Sequence, residues 1–200
     1  GHTTGIPEPV RDIHSVREHV AYRMPDAKSV VIGVGSGALW AMAYALKHQD
    51  EVHGLVLAGP LLQDNFGAPQ KIGGMLGMFK KVEPLSPCVI PWKAEDVLSE
   101  PGDKGTWNAD PKRDNTVTKG TVDAIVKAMA ECPAPYAALN MPTLVLAGSE
   151  DPICTPADAA AFAKKLGAKS EVIEGARHSI FHGPTSEAAI DHVVNWLGTL

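Results

Sequence analysis

Three short stretches carry residue types that can do chemistry together. The first is Gly33-Val34-Gly35-Ser36-Gly37, a glycine-rich turn between an apolar run and an alanine-rich one. A turn of this kind, opening into a helix, aims backbone N–H groups at a developing negative charge. The second is Asp151 in GSEDPICT, a carboxylate able to orient an imidazole. The third is His178 in EGARHSIFHG, with His182 as a competitor. Each alone has a plainer reading: a turn made for close packing, a solvated acid beside proline, a solvated loop histidine.

The elements around them give the stretches a common setting. Residues 9 to 22 put Ile13, Val16 and Val20 on one helical face. The run at about 29 to 34, SVVIGV, is apolar throughout, as a strand covered on both faces should be. An alanine-rich helix follows it, then a second buried strand at about 54 to 59. A third apolar strand spans 143 to 148 and ends in the acidic turn. TPADAAAFAKKLG reads as a helix with Thr155 as N-cap, Pro156 at the first position and Gly167 as its stop. SEVIEG makes a short strand. In the last helix Ile190, Val193, Val194 and Leu197 form an apolar stripe for docking on a sheet. Strands alternating with helices imply a parallel sheet with right-handed crossovers. Ligands of such sheets sit beyond the carboxyl ends of the strands, where all three stretches fall.

Between these regular parts, residues 61 to 138 are broken by prolines and read as a helical or irregular insertion. The expected division is therefore a core of residues 1–60 and 139–200 with an insertion at 61–138. The 200 residues, 44% of them hydrophobic, suffice for one domain with a sizeable core. A net charge of −5 without a basic block argues against nucleic acid as a partner. Cys88, Cys132 and Cys154 are odd in number, lack metal-ligand spacing and read as reduced thiols of a cytoplasmic protein. No metal or cofactor is expected. A dinucleotide or phosphate loop is disfavoured, because GVGSGA lacks the third spaced glycine and no lysine follows. No apolar run reaches the roughly 18 residues of a membrane span.

A glycine turn, an acid and a histidine at successive strand ends follow the order of nucleophile, acid and base in α/β-hydrolases. With GLVLAGPLL, DVLSEPGDKGTWNADP, MPTLVLAGSEDPICTP and ARHSIFHGPTSEAAIDHVVNWL, nearly the whole chain resembles that superfamily. It is most similar to the monoacylglycerol lipase and lysophospholipase branch. The resemblance implies an α/β-hydrolase fold with Asp151 as the triad acid and His178 as the base. The insertion corresponds to the family's lid, in which Ile72, Met75, Leu76, Met78 and Phe79 would line an acyl-chain pocket. The implied partner is a small lipophilic ester or monoacylglycerol, with a peripheral membrane contact available through the lid.

Two departures stand against the family pattern. Its Gly-x-Ser-x-Gly elbow aligns with Gly33-Val34-Gly35-Ser36-Gly37, so Gly35 takes the nucleophile's position. Glycine suits the strained elbow backbone but has no atom to attack a carbonyl. Ser36 as the nucleophile would need glycine at 34 and 38, where Val34 and Ala38 stand; its backbone N–H better fits the oxyanion hole. The chain also opens with Gly1-His2, similar to the GHG segment that closes the family's first strands. That alignment makes it the later two-thirds of a larger domain, lacking the N-terminal strands. An impaired or inactive ester hydrolase is the expectation. The alternative is a non-catalytic binding or scaffold protein, similar to the N-myc downstream-regulated proteins, whose elbows are glycine-rich and serine-free and which GVGSGA resembles. A third option keeps the histidine and acid to activate water.

Overall fold

The computed structural model describes residues 2–63, 83–131 and 134–200. In chain order these form α1 (Pro7–Arg23), β1 (Val30–Val34), α2 (Gly37–Lys47), β2 (Gly54–Ala58), β3 (Pro87–Val89), α3 (Ala94–Val97) and α4 (Pro101–Ala109). They continue with β4 (Thr116–Thr118), α5 (Lys119–Glu131), β5 (Thr143–Gly148), α6 (Pro156–Leu166), β6 (Lys169–Ile173) and α7 (Ser186–Leu197).

The main sheet has the order β1-β2-β5-β6, and every pairing in it is parallel. Registers such as Ile32 opposite Val56 and Val56 opposite Leu144 bring all four carboxyl ends to one rim. β2 and β5 are buried along their whole length, which explains their unbroken apolar runs. Alternate side chains serve opposite faces. Leu55, Leu57 and Val145 join the core under α1, α2 and α6, whereas Val56, Leu144 and Leu146 join the core under α7. Each fully buried leucine among them contributes about 1.5–3 kcal/mol.

Local signals in the sequence account for the helix ends. The Thr155 hydroxyl accepts from the Asp158 N–H at the start of α6, Pro156 follows it, and Gly167 closes the helix at φ 66°. α2 lies close on β1 because Gly33 has no side chain. A Cβ there would meet the Ala38 Cα and the Gly37 carbonyl oxygen at 2.6 Å.

Within the insertion, β3 and β4 form an antiparallel ladder that sequence periodicity did not anticipate. Val97, Leu98, Ile125 and Ala128 of this region enter the same core as α2. Cys88 and Cys154 are free and buried; Cys132 lies outside the described residues. Among the described residues no helix is long and apolar enough to cross a membrane.

Two packing expectations need correction. β1 is not covered on both faces: Ile32 is 50% exposed and Val34 47%. It is one of the two edge strands of the sheet among the described residues, and an apolar groove of about 740 Å³ separates it from Val16 and Val20 of α1. The α7 stripe is also rotated from the expected one. Ala189, Val193 and Trp196 are buried, while Ile190 and Val194 are more than half exposed. Small Ala189 allows close approach, and the large Trp196 ring fills the space above Gly54, where a Cβ would stand 2.9 Å from it. Burying one tryptophan outweighs burying two aliphatic side chains that cannot reach the sheet together.

Candidate active site

Each of the three stretches emerges from the carboxyl end of a main-sheet strand. Gly35 follows β1 with φ +56°, a left-handed conformation that a side chain adopts only under strain. Its N–H donates to the Ala58 carbonyl at 2.9 Å, which pins the turn to the end of β2. Ser36 stands just before α2, and its N–H has no acceptor among the described residues. That leaves one donor at the head of the helix free to face an anion. No hydrogen bond joins the Ser36 hydroxyl to a histidine among the described residues.

Asp151 follows β5 in a tight turn, and its side chain is fully buried. Its Oδ1 accepts from the N–H groups of Ile153 at 2.7 Å and Cys154 at 3.0 Å. Its Oδ2 stands 2.9 Å from Nδ1 of His178, whose side chain is only 9% exposed. Three donors thus offset the cost of burying the carboxylate. Because a carboxylate only accepts, the shared proton sits on Nδ1, so a neutral His178 has its free lone pair on Nε2. Nε2 faces the elbow: a Cβ built on Gly35 would stand 3.5 Å from it. A hydroxyl one bond beyond that Cβ falls within hydrogen-bond reach.

The structure therefore brings Gly35, Asp151 and His178 together, with Ser36 beside them. His182 is elsewhere: it is largely exposed and its Nε2 pairs with Asp103 at 3.2 Å. Ile72, Met75, Leu76, Met78 and Phe79 lie outside the described residues. The groove between α1 and β1 is lined by the back of the elbow and does not include His178.

Several residues that position the imidazole escaped the sequence reading. Gly59 has φ +51°, and a Cβ on it would press on the His178 ring at 3.2 Å. Gly148 lets the acid turn and the histidine loop touch, since a Cβ there would overlap the Ala176 carbonyl oxygen at 2.2 Å. Both glycines end the same pentapeptide, LVLAG, at 55–59 and 144–148, and that repetition was a usable signal. The segment between β2 and β5 braces the histidine loop as well. Ser99 donates to the Gly175 carbonyl and accepts from the Arg177 N–H, and Ser179 N–H donates to the Val97 carbonyl. Trp92 stands with its ring centroid 5.9 Å from that of His178.

Parallel strands wrapped by helices, with a glycine elbow, an acid and a histidine at successive strand ends, define an α/β-hydrolase fold. Within it, the chain belongs to the serine aminopeptidase S33 family, whose profile matches residues 1–185. Solved structures agree on the fold. The monoacylglycerol lipase of Paleococcus ferrophilus superposes with a TM-score of 0.78 at 20% identity, over 98% of this chain and 76% of the lipase. A soluble variant of monoglyceride lipase from Saccharomyces cerevisiae, in complex with a substrate analog, gives 0.76 at 16% identity over 95% and 68%. A thermostable carboxyl esterase from Bacillus coagulans, in complex with glycerol, gives 0.75 at 17% identity over 98% and 73%. No protein with a curated description matches the sequence.

Proposed function

We propose that the chain carries a carboxylic-ester hydrolase site of the monoacylglycerol or lysophospholipid type, catalytically silent or strongly impaired because Gly35 occupies the nucleophile's position. The observation that carries this reading is the 3.5 Å between a Cβ on Gly35 and Nε2 of His178, with Asp151 holding the far side of the ring. With serine at 35, His178 would take the hydroxyl proton as the oxygen attacks the ester carbonyl. The Ser36 N–H would meet the resulting oxyanion, and the imidazolium would return the proton to the leaving alcohol. Water would then release the acid. Without that oxygen, a loss of about 10³ to 10⁶ in rate is expected.

The class of substrate rests on two relatives, one holding a substrate analog and the other glycerol. The acyl chain and any membrane contact are assigned to Ile72, Met75, Leu76, Met78 and Phe79 of the lid. A binding protein on the same fold is the second reading, favoured by the glycine at the nucleophile's position alone.

The test compares hydrolysis of monoacylglycerols and short-chain esters by the chain, by Gly35→Ser, and by Gly35→Ser combined with His178→Ala. Turnover only in the first variant supports the reading. Turnover by the unmodified chain that His178→Ala abolishes would overturn it in favour of Ser36 as the nucleophile, if Ser36→Ala abolishes it too, or of activated water, if it does not. Absence of turnover and of fluorophosphonate labelling in a folded Gly35→Ser variant would leave the binding reading standing.

A further inference from the structure

A second cluster of chemistry-bearing side chains lies where α1 crosses the end of α2, away from the ester site. His14 comes from α1, His48 from the C-cap of α2, and Glu51 from the turn after it. One ligand atom from each of the three lies within 4.8 Å of the other two. Glu51 Oε1 stands 3.6 Å from His48 Nδ1, and Oε2 stands 3.9 Å from His14 Nδ1. The two imidazoles are stacked with centroids 4.4 Å apart, and the Tyr44 ring backs His48 at 4.6 Å.

The polar atoms there are poorly satisfied. His14 Nδ1 and the Tyr44 hydroxyl are buried and make no hydrogen bond among the described residues, while Glu51 Oε2 is met by the Arg17 guanidinium at 3.2 Å. Buried polar atoms are ordinarily paired, so such a concentration points to a missing partner. A cation suits the place, because the cluster offers two imidazole nitrogens and a carboxylate that already draws the Arg17 guanidinium. The carboxyl end of α2 adds its partial negative charge at the same place.

We propose that His14, His48 and Glu51 form a binding site for one borderline transition-metal dication, with zinc(II) the best match. Two nitrogens and one carboxylate oxygen are a common zinc donor set. Ligand atoms about 2.0–2.2 Å from a tetrahedral zinc are roughly 3.4 Å apart, and because an ion lies in the plane of each ring it binds, uptake turns one of the two imidazoles out of the stack. The side chains are 37%, 14% and 34% exposed, which leaves an entry path and room for a water as fourth ligand. Arg17 competes for the site, with its guanidinium 3.2 Å from Glu51 Oε2. It also holds Glu18 at 2.7 Å, and so stays charge-paired when Glu51 turns to the metal. A bound ion would add a clamp between α1 and α2 beside the packing of Val10 and Ile13 in the shared core.

Calorimetric titration of the untagged chain with zinc chloride, and thermal unfolding with and without it, test this site. The expected result is one ion per chain and a raised Tm. Both are lost in His48→Gln and Glu51→Gln and unchanged in His19→Gln, which alters an exposed histidine outside the cluster. Arg17→Gln should bind several-fold more tightly, an effect that a merely structural role of the cluster would not produce. Substituted cobalt(II) should give the intense visible bands of a four-coordinate site. No uptake by a folded chain, or uptake equal in His48→Gln, Glu51→Gln and the parent, would overturn the proposal.

Discussion

Gly35 and His178 face each other across the carboxyl ends of β1 and β6, and a Cβ on the glycine would stand 3.5 Å from Nε2 of the imidazole. The same glycine has φ +56°. Any side chain added there is strained by about 1–2 kcal/mol, since the left-handed region crowds a Cβ. Gly35→Ser and Gly35→Ala should therefore lower Tm by the same amount, roughly 2–8 °C for a chain of this size. Only the serine variant should gain esterase activity. Calorimetry on the pair separates the backbone cost from the chemistry.

Gly59→Ala should damage the site without touching a reacting atom. The new methyl would press on the His178 ring at 3.2 Å, from a backbone held at φ +51°. Stability should fall by about 1–3 kcal/mol from that conformation alone. In the Gly35→Ser background kcat should fall with it, while a substitution of Gly167, far from His178, should cost stability only. Denaturant unfolding and ester hydrolysis on the same preparations check both.

Ser99→Ala tests the brace between the insertion and the histidine loop. It leaves the Gly175 carbonyl and the Arg177 N–H without their present partner. The groups are half-buried, so the expected cost is about 0.5–1.5 kcal/mol, the usual net worth of a hydrogen bond. In Gly35→Ser the variant should lower kcat/KM, and Ser99→Thr, which keeps the hydroxyl, should restore most of it.

Cys154 should make the fold sensitive to alkali. Burial, reinforced by the carboxylates of Asp151 and Asp158, pushes its thiol up to about 12. The unfolded chain releases that proton near the ordinary thiol value of about 8.5. Between the two values the native state binds more protons than the unfolded one, so its stability falls as pH rises through that window. Burial, then Glu51, raises the Tyr44 phenol in the same direction. Urea midpoints at pH 8 and pH 10.5 should differ less in Cys154→Ala than in the parent. Equal slopes would refute this cause.

Much of the fold was legible because its signals are local. Unbroken apolar runs marked β2 and β5 as interior strands, and Thr155, Pro156 and Gly167 marked the ends of α6. Asp151 and His178 were legible as strand-end residues for the same reason. The α7 stripe was misjudged because periodicity weighs side chains equally. Packing favoured the one row that Trp196 and Ala189 could seat on the sheet.

By itself, then, the sequence determined the order of strands and helices before residue 60 and after residue 139, the glycine at position 35 and the absence of a hydroxyl on it. Those are properties of single residues and of their near neighbours. Only the tertiary structure decided which histidine meets the acid, since His178 and His182 differ by one turn of loop and not by type. It alone gathered Gly59, Gly148 and Ser99 around the imidazole, and His14, His48 and Glu51 at the crossing of α1 and α2. Such contacts join residues far apart along the chain, and crossovers and close packing, which no local propensity encodes, bring them within bonding distance.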